Sequence, residues 1–144
     1  MKSFVIDANI LFSACISGKD IYKNAFLSNK FYVPDFSILE IEKYKETILS
    51  KTKLDKEKLK EFTILLFSKL IVVPNFLISE ESIKKAHNIC KEVDEKDTMY
   101  LALSIELKIP FITRDKNLHG HLIKKRHKSI IMFDEFLKDF IETQ

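Results

Sequence analysis

The chain has 144 residues, 46% apolar and 31% charged, with two Gly and three Pro. That length fits one domain, 1–144, with a core large enough to fold without metal or disulfide, and the composition leaves no room for a flexible linker or disordered tail. The net charge of +3, from 24 Lys and Arg against 21 Asp and Glu, is too small for the whole-chain field to argue for nucleic acid by itself. No apolar run approaches the ~18 residues of a membrane span. Met1-Lys2-Ser3-Phe4-Val5-Ile6 runs at once into Asp7, unlike a secretory leader, so a cytoplasmic protein with no membrane partner is expected. Cys15 and Cys90 lie in separate apolar segments with no Cys-x-x-Cys spacing and read as reduced, buried thiols.

Phe4-Val5-Ile6 reads as a short buried strand, ended by Asp7-Ala8-Asn9 before the apolar Ile10-Leu11-Phe12. Asp20 is a candidate cap for a helix through Leu27, and Phe31-Tyr32-Val33 is a second strand stopped by Pro34. Ser37 starts a helix expected to run to about Ser50. Asp55 caps the next, whose Leu59, Phe62, Leu65 and Leu66 keep a helical period before the strand Ile71-Val72-Val73. Ser79 opens a helix with Ile83, Ala86, His87, Cys90 and Val93 on one face, which makes His87 a core or boundary residue. A further helix from about Glu95 carries Met99, Tyr100, Leu103 and Leu107, and Pro110 leads into Phe111-Ile112-Thr113. His119-Gly120-His121 reads as a loop, and Lys124-Lys125-Arg126-His127-Lys128 as a solvated helix end and turn. Ile130-Ile131-Met132-Phe133 is the last strand, followed by a helix from Asp134 with Phe136, Leu137, Phe140 and Ile141 inward. About five strands alternate with six helices, the pattern of a parallel sheet covered on both faces.

Asp7, Glu40, Asp94, Asp97 and Asp115 sit at strand exits or helix starts. Each has a local explanation: an Asx-turn or cap for Asp7, Asn9 and Asp115, a capping box with Ser37 for Glu40, and the N-cap and first turn of a helix for Asp94 and Asp97. Together they occupy places that a doubly wound sheet brings to one edge, outside the carboxyl ends of its strands. Clustered carboxylates repel and raise one another's pKa unless protons or a cation relieve them. Hard oxygen donors suit Mg²⁺ or Mn²⁺, with a phosphate substrate completing the shell.

The chain resembles the PIN-domain family, the metal-dependent nucleases that include VapC toxins. The resemblance runs through Phe4-Val5-Ile6-Asp7-Ala8-Asn9-Ile10-Leu11, Pro34 to Leu39-Glu40-Ile41, Asp97-Thr98-Met99-Tyr100-Leu101-Ala102-Leu103-Ser104 and Ile109-Pro110-Phe111-Ile112-Thr113-Arg114-Asp115. It implies a three-layer α/β/α sandwich with a mostly parallel sheet of about five strands. It also implies a catalytic, metal-binding quartet of Asp7, Glu40, Asp97 and Asp115, with Asp94 as an extra carboxylate and Asn9 and Thr113 as supporting residues. Asp94-Glu95-Lys96-Asp97 offers two candidates for the third acid, and Asp97 is preferred because it opens the Tyr100-Leu101-Ala102-Leu103 helix. The implied activity is hydrolysis of RNA with Mg²⁺ or Mn²⁺, and the resemblance further implies the toxin of a toxin-antitoxin pair, an antitoxin partner and a homodimer. Lys43, Lys45, Arg114 and Lys116 lie next to the acids in sequence and are candidates for holding the RNA backbone.

Two other classes remain on the sequence. A PIN module that binds RNA without cleaving it would be indifferent to chelator. A receiver or dehalogenase-like phosphoacceptor would require Asp where Asn9 stands, or an acceptor Asp after a middle strand, where the chain has Pro74-Asn75.

Overall fold

The structure, a computed structural model, describes residues 1–143. Five strands, β1 (Ser3–Ile6), β2 (Lys30–Pro34), β3 (Leu70–Val73), β4 (Phe111–Thr113) and β5 (Ile130–Met132), form one sheet in the order β3-β2-β1-β4-β5. Every neighbouring pair is parallel, with Phe4 opposite Phe31 and Val5 opposite Phe111. Nine α-helices are present among the described residues: α1 (Ala8–Ser17), α2 (Asp20–Ser28), α3 (Ser37–Lys43), α4 (Lys45–Lys51), α5 (Lys56–Ser68), α6 (Glu80–Cys90), α7 (Thr98–Leu107), α8 (Lys116–Lys124) and α9 (Phe133–Glu142).

Side chains on successive strand residues point to opposite faces, and the sheet accordingly separates two cores. Phe4 and Ile6 of β1, Phe31 and Val33 of β2 and Ile112 of β4 pack with Phe26 of α2, Phe62 and Leu66 of α5 and Phe136 of α9. Val5 of β1 and Phe111 of β4 turn the other way, onto Ala86 and Cys90 of α6, Tyr100 and Leu101 of α7 and Leu118 of α8. The result is the three-layer α/β/α arrangement. Both faces of the central strands are buried, which is why they read as apolar runs. Asp55 and Ser79 cap α5 and α6 as their sequence positions suggest, accepting from the amides of Lys58 and Ser82.

Several local expectations are corrected. The helix expected from Ser37 to about Ser50 is broken at Tyr44, whose backbone (φ −97°, ψ 8°) ends α3 while its ring lies on Phe12 with centroids 4.5 Å apart. The capping box does not form. The turn at Asp35-Phe36 makes Phe36 the N-cap, Ser37 becomes a fully buried first helical residue, and the Glu40 side chain is left to look elsewhere. Asp20 lies in the first turn of α2 instead of capping it.

His119-Gly120-His121 is helical, not a loop. Asp115 caps α8 by accepting from the amides of Asn117 and Leu118, and Leu118 and Leu122, one turn apart, are buried. These outweigh the ~1 kcal/mol that a helical Gly costs. His87 is exposed, because the inward stripe of α6 runs through Ser82, Ala86 and Cys90, one position away. The basic run from Lys124 does form a helix end and turn, exposed except at the half-buried His127, with Arg126 at φ 64°.

Candidate active site

β1 leads to β2 and β3 on one side, and the chain then returns to place β4 on the other side of β1. The switch point of the sheet therefore lies between β1 and β4, where a crevice opens outside their carboxyl ends. Asp7 follows β1 directly, and Thr113-Arg114-Asp115 follows in the exit of β4. Asp97 enters from the start of α7, which packs on β1, β2 and β4, and Glu40 from α3, which packs on α1.

Asp7 is 7% exposed and accepts from the Asn9 amide at 3.0 Å. Asp94 accepts from the Lys96 amide at 2.9 Å and so caps the 3-10 turn Glu95–Asp97. Asp115 caps α8, and its own amide donates to Thr113 Oγ1 at 3.1 Å. For these residues the local structural role is realised. Asp97 differs: it stands at the N-cap position of α7 with no side-chain cap bond, although it too is only 7% exposed. Glu40 also has no capping duty. Its Oε2 accepts from the Tyr100 hydroxyl at 3.3 Å, and the same hydroxyl accepts from the Ala8 amide at 3.3 Å.

Tyr100 is the participant that the sequence concealed. On a helix face of Met99, Leu103 and Leu107 it reads as core, and it is 2% exposed. A buried tyrosine hydroxyl nevertheless needs a partner, and here it ties the residue after Asp7 to Glu40. Burial pushes its pKa above the usual phenol range, with the charges of Asp7 and Glu40 adding to the effect, so the hydroxyl stays protonated and able to donate.

Desolvation raises Asp7 to about 6, with Glu40, Asp115 and Asp94 reinforcing the shift against the Asn9 hydrogen bond. Desolvation likewise raises Asp97 to about 7, reinforced by Asp7, Asp94, Asp115 and Glu40. Glu40, Asp94 and Asp115 thus act on both Asp7 and Asp97 as neighbouring charges. The salt bridges among the described residues are Lys85 with Glu81 and Lys125 with Glu92, so no basic side chain compensates the cluster by direct pairing. Among the described residues no three acids already converge at ligand distance. The donor set still fits a hard divalent cation: all donors are carboxylate oxygens, two are desolvated, and their repulsion is relieved by positive charge. Asn9, Arg114, Lys43, Lys45 and Lys116 are exposed, while Thr113 is buried.

Fold and site together define a class: a doubly wound α/β protein with a carboxylate cluster at the switch point of its sheet. A family model described as PIN domain matches residues 5–135, and the chain belongs to that family. Among solved structures, the chain is similar to PAE2754 from Pyrobaculum aerophilum, with a TM-score of 0.64 and 15% identity over 97% of this chain and 90% of that one. It is also similar to VapBC2 from Rickettsia felis, a structure bound to a DNA fragment from their promoter, with a TM-score of 0.58 and 16% identity over 90% of this chain and 96% of that one. No curated protein matches the chain. No helix among the described residues is long and apolar enough to cross a membrane.

Proposed function

We propose that the protein is a Mg²⁺- or Mn²⁺-dependent nuclease that hydrolyses RNA phosphodiester bonds, with Asp7, Glu40, Asp97 and Asp115 as its acidic set and Asp94 at the margin. The observation that carries this is the pair Asp7 and Asp97, buried at the switch point, raised by desolvation and by neighbouring carboxylates, and paired with no basic side chain. An uncompensated buried acid cluster is costly to keep, and a cation together with a phosphate substrate removes that cost. Membership of the PIN family, whose members are generally nucleases, supplies the reaction class.

Asp7 and Asp97 would hold the ion, with Glu40 and Asp115 beside them. Bound there, it supplies Lewis acidity toward the phosphate and a water made acidic enough to attack. The chain's own residues prepare that arrangement. The Asn9 amide fixes the Asp7 carboxylate, Tyr100 holds Glu40, and Thr113 Oγ1 fixes the backbone that carries Asp115. Burial of Asp7 and Asp97 keeps bulk water from screening the cluster. Arg114, Lys43, Lys45 and Lys116, all exposed, offer positive charge to an RNA backbone.

The test is incubation with mixed RNA and DNA substrates under Mn²⁺, Mg²⁺ or EDTA, with Asp7→Asn and Asp97→Asn in parallel. Metal-dependent cleavage that both variants lose is expected, and cleavage that survives EDTA or both substitutions refutes the assignment. An antitoxin partner is favoured by one observation, the exposure of Ile38 and Leu39 on α3 and Leu49 on α4. Co-purification with the product of an adjacent reading frame, lost on Leu39→Glu, tests it.

A further inference from the structure

The break at Tyr44 places an aromatic ring where a continuous helix would not. Tyr44 is 47% exposed, and its ring packs on that of Phe12, with centroids 4.5 Å apart and a 38° tilt. It lines a cavity of about 350 Å³ together with Asn9, Ser13, Thr47, Arg114 and Asp115. Asp115 belongs both to this cavity and to the acid cluster, and Asn9 is the residue whose amide fixes Asp7, so the cavity is continuous with the carboxylate edge. Arg114 follows β4 and reaches across to donate to Ser13 Oγ on α1, which sets its guanidinium on the cavity wall.

A half-exposed aromatic ring supported by a second ring, beside a guanidinium, is a combination that captures single-stranded nucleic acid: the base stacks and the phosphate pairs with the cation. Building on the nuclease reading above, we propose that this cavity is the subsite for the nucleotide next to the scissile phosphate, its base stacked on Tyr44 and its phosphate held by Arg114. Stacking accepts any base, so the subsite selects unpaired strands without choosing sequence. Paired RNA, whose bases are not free to stack on a side chain, is a poor ligand of this subsite.

Binding separates this subsite from the chemistry. Fluorescence anisotropy with a labelled single-stranded octaribonucleotide, in EDTA so that metal-dependent cleavage is silent, is run on the full chain and on Tyr44→Ala, Tyr44→Phe, Tyr44→Trp and Arg114→Ala. Tyr44→Ala is expected to weaken binding roughly 5- to 150-fold, the range for one lost base stack, while Phe and Trp retain it. Arg114→Ala is expected to lower the slope of log affinity against log salt by about 0.7, one phosphate contact on a single strand. An octamer abasic throughout should bind wild type and Tyr44→Ala alike, and a duplex of the same sequence should bind wild type more weakly than the single strand. Equal binding of the intact single strand by wild type and Tyr44→Ala overturns the proposal, as does unchanged RNA binding combined with loss of a co-purifying protein. Cleavage under Mn²⁺ is measured separately. Tyr44-dependent binding without cleavage by wild type keeps the subsite and refutes the nuclease, whereas cleavage whose KM ignores Tyr44→Ala does the reverse.

Discussion

Replacing Asp97 by Asn should make the metal-free protein more stable while removing a residue assigned to its chemistry. Unfolded, the Asp97 carboxyl titrates near 3.8; folded, it is raised to about 7 by desolvation first and by Asp7, Asp94, Asp115 and Glu40 after it. Between those values the folded protein keeps the proton and the unfolded chain releases it, so stability falls as pH rises through the window and stays low above pH 7. At 1.36 kcal/mol per pH unit the loss is on the order of 4 kcal/mol at pH 8 and a small fraction of that at pH 4. Asn never ionises. Asp97 also makes no side-chain cap bond that the amide would forfeit. Urea denaturation in EDTA, followed by circular dichroism, should therefore show Asp97→Asn ahead of wild type by about 4 kcal/mol at pH 8, with the gap nearly closed at pH 4. A variant that is no more stable at pH 8, or whose advantage is as large at pH 4, would refute the electrostatic account of the cluster.

Divalent metal should act on the same strain from the other direction. Mn²⁺ at a hundred times its dissociation constant should stabilise wild type by about 2.7 kcal/mol, read as a concentration-dependent rise in melting temperature. Asp94→Asn should keep most of that rise and Asp97→Asn should lose it; the opposite ranking would make Asp94 the third acid. Tyr100→Phe removes the hydroxyl between the Ala8 amide and Glu40 and strands a buried donor. A loss of about 1–3 kcal/mol in urea denaturation is expected, and a Phe variant as stable as wild type would show that the bridge contributes nothing. Gly18 ends α1 at φ 65°, with the Leu54 side chain where a Cβ would stand. Gly18→Ala should cost about 1–3 kcal/mol for the left-handed backbone, more if Leu54 cannot move, measured by the same denaturation.

The strands were readable from the chain because both faces of the central ones are buried, so Phe4-Val5-Ile6 and Phe111-Ile112-Thr113 stand out as apolar runs between polar residues. The alternation with helices fixed the parallel sheet, and the placing of acids at strand exits pointed to its switch point. Features created by tertiary contact were less legible. Nothing in Ile41 to Ile48 marks Tyr44 as a break, because the partner that accompanies it, Phe12, lies far away in sequence. The Ser37-Ile38-Leu39-Glu40 pattern promised a capping box, but the turn after Pro34 moved the cap to Phe36 and freed Glu40 for Tyr100. In α8, Gly120 and two His hid a helix that Asp115 and the Leu118–Leu122 pair define. Local pattern identified which acids to watch, and only the fold could distinguish those occupied with capping from Glu40 and Asp97, which are not.

The sheet order also governs when the acid edge can come into being. β1, carrying the first acid, is made first and can pair with β2 and β3 early, since those lie next in the chain. Its other neighbour, β4, pairs Val5 with Phe111 and so joins only after most of the chain is present. Asp97 and Asp115 arrive with that late half. A growing chain can therefore bury much of its first core around β1, β2 and α5 before the carboxylates meet, and long-range parallel pairing of this kind is slow to form. The repulsive cluster is completed last, onto a scaffold already able to bear it, and a chain interrupted before β4 carries Asp7, Glu40 and Asp97 without Asp115 or the strand that opens the crevice beside β1.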